Sequence, residues 1–125
     1  MRPKYLVDKD VLIDHLNGVG KATAWLEGLV EGEAVISVIT RAEVLSGASE
    51  QEKAKILLLL ESYDCLVIQR HTADKAAELR RLKPWKLPDA FQAALCILGN
   101  LTLVTRNTDD FDPDRHGFVL VPYTL

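Results

Sequence analysis

Cysteine and histidine are scarce in this chain and poorly spaced for ligation. The two cysteines, Cys65 and Cys96, and the three histidines, His15, His71 and His116, are scattered, with no C-x-x-C and no Cys/His pair at ligand spacing. A zinc site is therefore not expected, and the cysteines read as buried small hydrophobes. A surplus of positive charge is also missing: 15 Lys+Arg stand against 18 Asp+Glu, a formal net charge of -3. Most nucleic-acid-binding domains are basic, so net charge does not advertise that partner. A chain that gathers carboxylates around a metal, however, is more acidic overall than its binding surface. No stretch approaches the roughly 18 consecutive apolar residues of a membrane span. Met1-Arg2-Pro3-Lys4 leads straight into an apolar strand without a signal-peptide core, so the expectation is a cytoplasmic protein without membrane contact.

What is present is a patterned globular sequence. With 125 residues, 48% hydrophobic and 26% charged, the chain reads as a single domain over residues 1–125, able to bury roughly two-thirds of its unfolded surface. Tyr5-Leu6-Val7 reads as a strand ending at Asp8, followed by a helix through Val11, Leu12 and Leu16. Gly18 and Gly20 break that helix, and a second runs through Ala24, Trp25, Leu26 and Leu29. Residues 34–39 are β-branched and strand-like, with a helical pattern from Thr40 that puts Glu43 in its first turn. A long helix is predicted over residues 50–62, and its run Ile56 to Leu60 reads as core rather than as an oligomer contact. A third strand covers residues 65–68, and Thr72 caps a helix over 73–82. Lys83-Pro84-Trp85-Lys86 then connects to a helix opening at Pro88, with Asp89 in its first turn, where the macrodipole favours an acid. Phe91, Ala94, Leu95 and Leu98 form its apolar stripe, and Gly99-Asn100 stops it. A short buried strand to Val104, a polar loop over residues 105–110 and an edge strand over 118–121 complete the chain. Strands alternating with helices predict one three-layer α/β/α domain with a mainly parallel central sheet.

On that fold the acids fall at one edge. Asp8 follows the first strand, Glu43 lies just past the second, and Asp109 and Asp110 follow the fourth. Asp89, at a helix N-terminus, can point there too. The C-terminal edge of an open parallel sheet is where ligands bind. Carboxylates that converge raise one another's pKa unless a cation neutralises them. Hard oxygen donors without histidine or thiolate suit magnesium or manganese. Such an ion can acidify and orient a bound water and offset charge on a phosphodiester oxygen. Singly, each acid has an ordinary explanation: Asp8 and Asp110 as turn residues, Asp89 as a helix start, Glu43 as a solvated face. Together they point to metal-assisted phosphodiester hydrolysis.

Three motifs in order, YLVDKDVLIDHL, SVITRAEVLSGA and LPDAFQAALCILGNLTLVTRNTDDF, resemble the PIN domain, specifically the VapC-type ribonuclease toxins of toxin-antitoxin pairs. The similarity spans nearly the whole chain. The resemblance implies a magnesium-dependent (or manganese-dependent) endoribonuclease with catalytic acids Asp8, Glu43, Asp89 and Asp110, of which Asp8, Asp89 and Asp110 hold the metal. The family varies in the loop after TRN, where Asn107 aligns with one version and Asp110 with the other; Asp110 is the expected acid, Asn107 a neighbouring polar ligand or water-holder, and Asp109 a solvent-facing residue. Where these toxins commonly read D-T-N, this chain reads Asp8-Lys9-Asp10. Asp10 is thus a candidate to join the metal, and Lys9 to contact phosphate or neutralise excess carboxylate. The resemblance further implies a cognate VapB-like antitoxin that obstructs the acidic pocket, and a toxin homodimer.

An RNA substrate needs cations. Lys75, Arg80, Arg81, Lys83 and Lys86 against Glu78 give a local charge of +4 (five minus one) just before Asp89. That patch can track a phosphate backbone, and Trp85 within it can stack on an unpaired base. Its ordinary alternative is a solvated helix face with Trp85 packed beneath a loop. Arg106 is a separate phosphate-clamp candidate. Two other functions stay open. D-x-D after a first strand also resembles aspartate-nucleophile phosphatases of the haloacid dehalogenase class, with Asp8 as nucleophile, Asp10 as acid/base and Thr40 on phosphate. The other is a catalytically degenerate PIN domain that binds RNA or protein.

Overall fold

A computed structural model describes residues 2–125, and among them five strands alternate with six helices. In chain order these are β1 (Tyr5–Val7), α1 (Lys9–Leu16), α2 (Gly20–Glu27), β2 (Ala34–Ser37), α3 (Val38–Ser46), α4 (Lys53–Glu61), β3 (Asp64–Leu66), α5 (Arg70–Leu82), α6 (Leu87–Gly99), β4 (Thr102–Val104) and β5 (Val119–Leu120). The strands form one sheet in the order β3-β2-β1-β4-β5, with every pair parallel. The three-layer α/β/α expectation is met. The chain leaves β1 toward β2 on one side and later adds β4 on the other. The topological switch point therefore falls at the C-terminal ends of β1 and β4, beside Asp8.

Alternate strand residues divide the core into two layers, as the pleat requires. Leu6, Val35 and Leu103 pack with Ala90, Ala93, Ala94 and Phe111 on one face, while Val7, Ile36 and Val104 pack with Val11, Leu12, Leu26 and Leu60 on the other. Three alanines in α6 let it lie close to the sheet. Asn100, in the left-handed conformation (φ 53°), closes α6 where a C-terminal stop is expected.

Several expected boundaries shift, each for a local reason. The second strand stops at Ser37, because the Ser37 hydroxyl accepts a hydrogen bond from the Thr40 N–H (3.1 Å) and caps a helix through Val38 and Ile39. Glu43 therefore lies in the second turn of α3. Thr72 is a buried residue inside α5, whose N-cap is Gln69. In α4 the apolar run is divided: Ile56 and Leu60 are buried but Leu58 is 77% exposed. Leu98 lies outside the buried stripe of α6 and is exposed, and Cys65 is exposed where burial is expected, while Cys96 is buried.

Candidate active site

The sheet brings the acids together as their positions predict. Asp8, Glu43, Asp89 and Asp110 line one cleft of about 320 Å³, together with Lys9, Asp10, Lys86, Pro88 and Asn107. Five carboxylates thus face two lysines. A larger groove of about 430 Å³ lies among β3, α5 and the end of α6, but its lining, including Leu66, Val67, Leu95, Leu98 and Leu101, brings no carboxylate to it.

Asp8 caps α1 and is buried. Its Oδ1 accepts from the Lys9 N–H (2.9 Å) and from Gln92 Nε2 (3.4 Å), and its Oδ2 accepts from the Thr105 hydroxyl (2.8 Å). The same hydroxyl lies 3.2 Å from Asp10 Oδ2. Having one proton, it donates to one acid at a time, and the shorter contact is to Asp8. Asp10 Oδ2 also accepts from the Arg106 N–H (2.9 Å), whereas its buried Oδ1 has no partner among the described residues. Burial, reinforced by the Asp8 charge, lifts the Asp10 pKa to about 6.

Asp89 reaches the cleft from the first turn of α6. Partial burial, with Asp110, Asp8 and Glu43 around it, pushes its pKa up to about 6 against the opposing pull of Lys9. Glu43 is bound to Lys9, Nζ to Oε2 being 3.0 Å. Asp110 is held from three directions. Its N–H donates to Asn107 Oδ1 (3.3 Å), its Oδ2 accepts from Asn107 Nδ2 (2.9 Å), and its carbonyl accepts from the Trp85 indole N–H (2.8 Å). Asp109 is exposed, as expected.

Residues 5–113 match the PIN domain family. This chain belongs to it. It is of the VapC type, being 36% identical over 112 residues to Ribonuclease VapC10 of Mycobacterium tuberculosis (strain ATCC 25618 / H37Rv), across 85% of this chain and 84% of that protein. Among solved structures it is similar to a toxin-antitoxin complex from Klebsiella pneumoniae, with a TM-score of 0.88 and 32% identity over 98% of this chain and 100% of the other. FitAcB from Neisseria gonorrhoeae shares the fold at a TM-score of 0.78 and 24% identity, covering 97% and 99% of the two chains.

In this PIN domain two expected nucleic-acid contacts are otherwise engaged. Trp85 is 5% exposed, and its ring packs against Phe111 (5.4 Å between centroids) and His116 (5.0 Å). Buried so far, it offers a base little surface, and its indole N–H seats the loop that carries Asp110. Arg106 is likewise paired within the fold. Its Nε and Nη2 donate to the two oxygens of Asp14 at 2.7 and 2.9 Å, a bidentate pair that Tyr123 OH joins at 2.7 Å from Asp14 Oδ2. Arg80, Arg81, Lys83 and Lys86 are exposed, although Arg80 Nε also donates to the Trp85 carbonyl (3.3 Å).

The phosphatase alternative loses its phosphate ligand. Thr40 is fully buried, and its hydroxyl accepts from Gln92 Nε2 at 2.9 Å. Gln92 is the residue that sequence reasoning passes over. It accepts from the Ser37 hydroxyl (2.6 Å) and donates toward both Thr40 and Asp8, joining α3, α6 and the end of β1. A polar amide three residues past Asp89, inside an otherwise apolar helix, is the one sequence signal for it. Thr105, Asp14 and Tyr123 carry no such signal.

Proposed function

We propose that this chain is a metal-dependent endoribonuclease acting as a VapC-type toxin. The observation that carries the proposal is the common cleft of Asp8, Glu43, Asp89 and Asp110 at the sheet's switch point, with the pKa of the Asp89 carboxyl raised by burial and by the charges around it. The ribonuclease name of the Mycobacterium relative supports the same substrate class.

Among the described residues, no three His, Cys, Asp or Glu side chains already stand in metal-ligating geometry. The donor chemistry nonetheless fits a hard divalent cation: the cleft holds uncompensated carboxylates, no thiolate and no imidazole. Asp8, Asp89 and Asp110 would hold the ion, magnesium or manganese, which when bound supplies an acidified water and neutralises charge on the phosphodiester. The chain's own groups do the positioning. Gln92 and Thr105 orient Asp8 as a pure acceptor, and Asn107 with Trp85 fixes Asp110. Glu43 lies in the cleft beside the three metal-holding acids, and Asp89, its pKa raised to about 6 by burial and by the neighbouring acids, gives up its proton more readily once a cation offsets those charges. Lys86, at the cleft, and Arg80, Arg81 and Lys83 on the adjoining groove of about 490 Å³ give the RNA backbone a cationic approach. Asp10 and Lys9 adjust the charge of the site. A VapB-like antitoxin covering the cleft and a homodimer complete the proposal, in line with the toxin-antitoxin complex from Klebsiella pneumoniae. No helix among the described residues is long and apolar enough to cross a membrane.

The test is cleavage of total RNA with magnesium, with manganese and with chelator, by wild type and by Asp89→Asn. Wild type should cut only with metal, and Asp89→Asn should not cut while its circular dichroism is unchanged. Metal-dependent turnover of a phosphomonoester with RNA left intact overturns the reading. RNA binding without cleavage, indifferent to Asp8→Asn, would leave a binding-only domain.

A further inference from the structure

Beside the acidic cleft lies a second one of about 330 Å³, lined by Lys83, Trp85, Asp109, Asp112, Arg115 and His116 and sharing Asp110 with the first. Resting on the ribonuclease reading, we propose that this second cleft is a nucleobase subsite that takes a guanine flanking the scissile phosphodiester.

The lining chemistry selects the ligand class. Two cations and three carboxylates, counting Asp110, leave the walls of both signs and close to balanced. A phosphate would meet repulsion from the acids, and an apolar ligand would strand the charges. An uncharged heterocycle with donors on one edge and acceptors on another satisfies both sets. The volume is at the lower end of the roughly 300–1,000 Å³ of small-ligand sites. The His116 ring packs against Trp85 and Phe118, with centroids 5.0 and 5.7 Å away, but is only half-buried and lines the cleft, so its remaining surface supplies an aromatic wall. Proteins that read single-stranded RNA stack splayed bases on such rings and bond their edges.

The two groups best placed to read a base are unspent. Lys83 and Asp109 make no ion pair among the described residues, whereas Arg115 stands 3.9 Å from Asp112 and Asp112 Oδ1 accepts from the Asp114 N–H. A carboxylate accepts from paired donors, and a lysine donates to paired acceptors. Guanine is the base that offers both, the N1–H and N2 amino group on one edge and O6 with N7 on another. Uracil has no amino group for Asp109. The cleft is also mechanically joined to catalysis. His116 touches Trp85, and the Trp85 indole N–H holds the Asp110 carbonyl at 2.8 Å. A base seated here puts its adjacent phosphate next to Asp110.

The experiment uses full-length protein carrying Asp89→Asn to block cleavage, and four labelled tetranucleotides, r(UUGU), r(UUAU), r(UUCU) and r(UUUU), titrated by fluorescence anisotropy. The expected result is r(UUGU) binding about tenfold or more tighter than r(UUUU), with the ratio falling below about threefold when Asp109→Ala or Lys83→Ala is added. Both positions are exposed, so loss of fold does not confound them. Equal affinities, or a preference that survives both substitutions, overturns the subsite. In parallel, the magnesium-dependent cut ends that wild type makes in a randomised RNA pool are sequenced. Cutting without guanosine beside the break defeats the subsite and leaves the ribonuclease standing. A base preference in binding that the substitutions abolish, with no cutting by wild type, keeps the subsite and defeats the ribonuclease.

Discussion

Lys9 Nζ lies 3.0 Å from Glu43 Oε2, so the residue standing where VapC-type toxins commonly carry a hydroxyl occupies the second acid of the site. This ion pair is half-exposed, and the hydrogen bond to Glu43 is the main reason the Lys9 pKa rises. Exposed pairs contribute about 0.2–1 kcal/mol. Lys9→Thr should therefore change stability by less than about 1 kcal/mol. Freeing Glu43 and removing a competing cation should lower the magnesium concentration for half-maximal RNA cleavage by up to about fivefold, the upper end of the same energy expressed as affinity. A higher magnesium requirement in Lys9→Thr would show instead that Lys9 serves the substrate.

The crowded acids make stability depend on pH in a definite direction. Asp89 and Asp10 both have folded-state pKa values near 6 against an ordinary 3.8. Between these values the folded chain binds more protons than the unfolded chain, so stability falls as pH rises from about 4 to about 6. Asp110, Asp8, Glu43 and Lys9 are the charges facing Asp89. His116, its pKa lowered from 6.5 by burial, acts in the opposite sense at acidic pH, so the informative comparison is between variants. Metal-free Asp89→Asn should have a higher Tm than wild type at pH 7, with the difference shrinking at pH 5. Manganese should raise the wild-type Tm more at pH 7 than at pH 5. A Tm difference between the two proteins that is constant across pH would rule this account out.

The site was legible in the sequence to the extent that topology makes it. Asp8, Asp89 and Asp110 sit next to signals that read locally, a strand end, a Pro-initiated helix and a loop after a buried strand. Parallel order alone then carries them to one edge. Glu43 fell in the second turn of α3 because Ser37, continuous with a β-branched run, caps the helix through a hydroxyl contact that periodicity does not register. Trp85 and Arg106 carry types typical of RNA contacts, yet their partners, Phe111, His116 and Asp14, lie 26, 31 and 92 residues away in the chain (111 minus 85, 116 minus 85, 106 minus 14). Only the fold could reveal that both were already engaged.

That engagement gives Arg106 a structural signature. Asp14 is buried, and Arg106 together with Tyr123 keeps its carboxyl below the usual carboxylate range. Stability from this group is present above pH 3.8 and is lost as pH falls through its lowered folded pKa. Removing one partner of a buried pair costs about 3–5 kcal/mol, and because Arg106 is itself 35% exposed the expected loss in Arg106→Ala is about 2 kcal/mol. Tyr123→Phe should lose about 1.5 kcal/mol, one hydrogen bond to a charged group. Denaturant unfolding at pH 7 measures both. An Arg106→Ala protein of wild-type stability with impaired RNA binding would restore the phosphate clamp.

Gln92 offers the sharpest separation between holding the fold and holding the site. Its Oε1 takes the Ser37 proton at 2.6 Å, and its Nε2 gives one hydrogen bond to Thr40 at 2.9 Å and a longer one to Asp8 at 3.4 Å. Gln92→Leu keeps the apolar stem and leaves the buried Ser37 hydroxyl without its acceptor, at a cost of about 1–3 kcal/mol. It also removes one of the two side-chain donors that aim Asp8, leaving Thr105 alone. Manganese affinity, measured by calorimetry under conditions where the variant is fully folded, should therefore fall as well. Ser37→Ala is the control, because it disturbs the same amide from the far side without touching Asp8. If Gln92→Leu and Ser37→Ala lose stability alike and both bind manganese as wild type does, the network belongs to the core. If only Gln92→Leu loses manganese, the amide positions the first acid of the site.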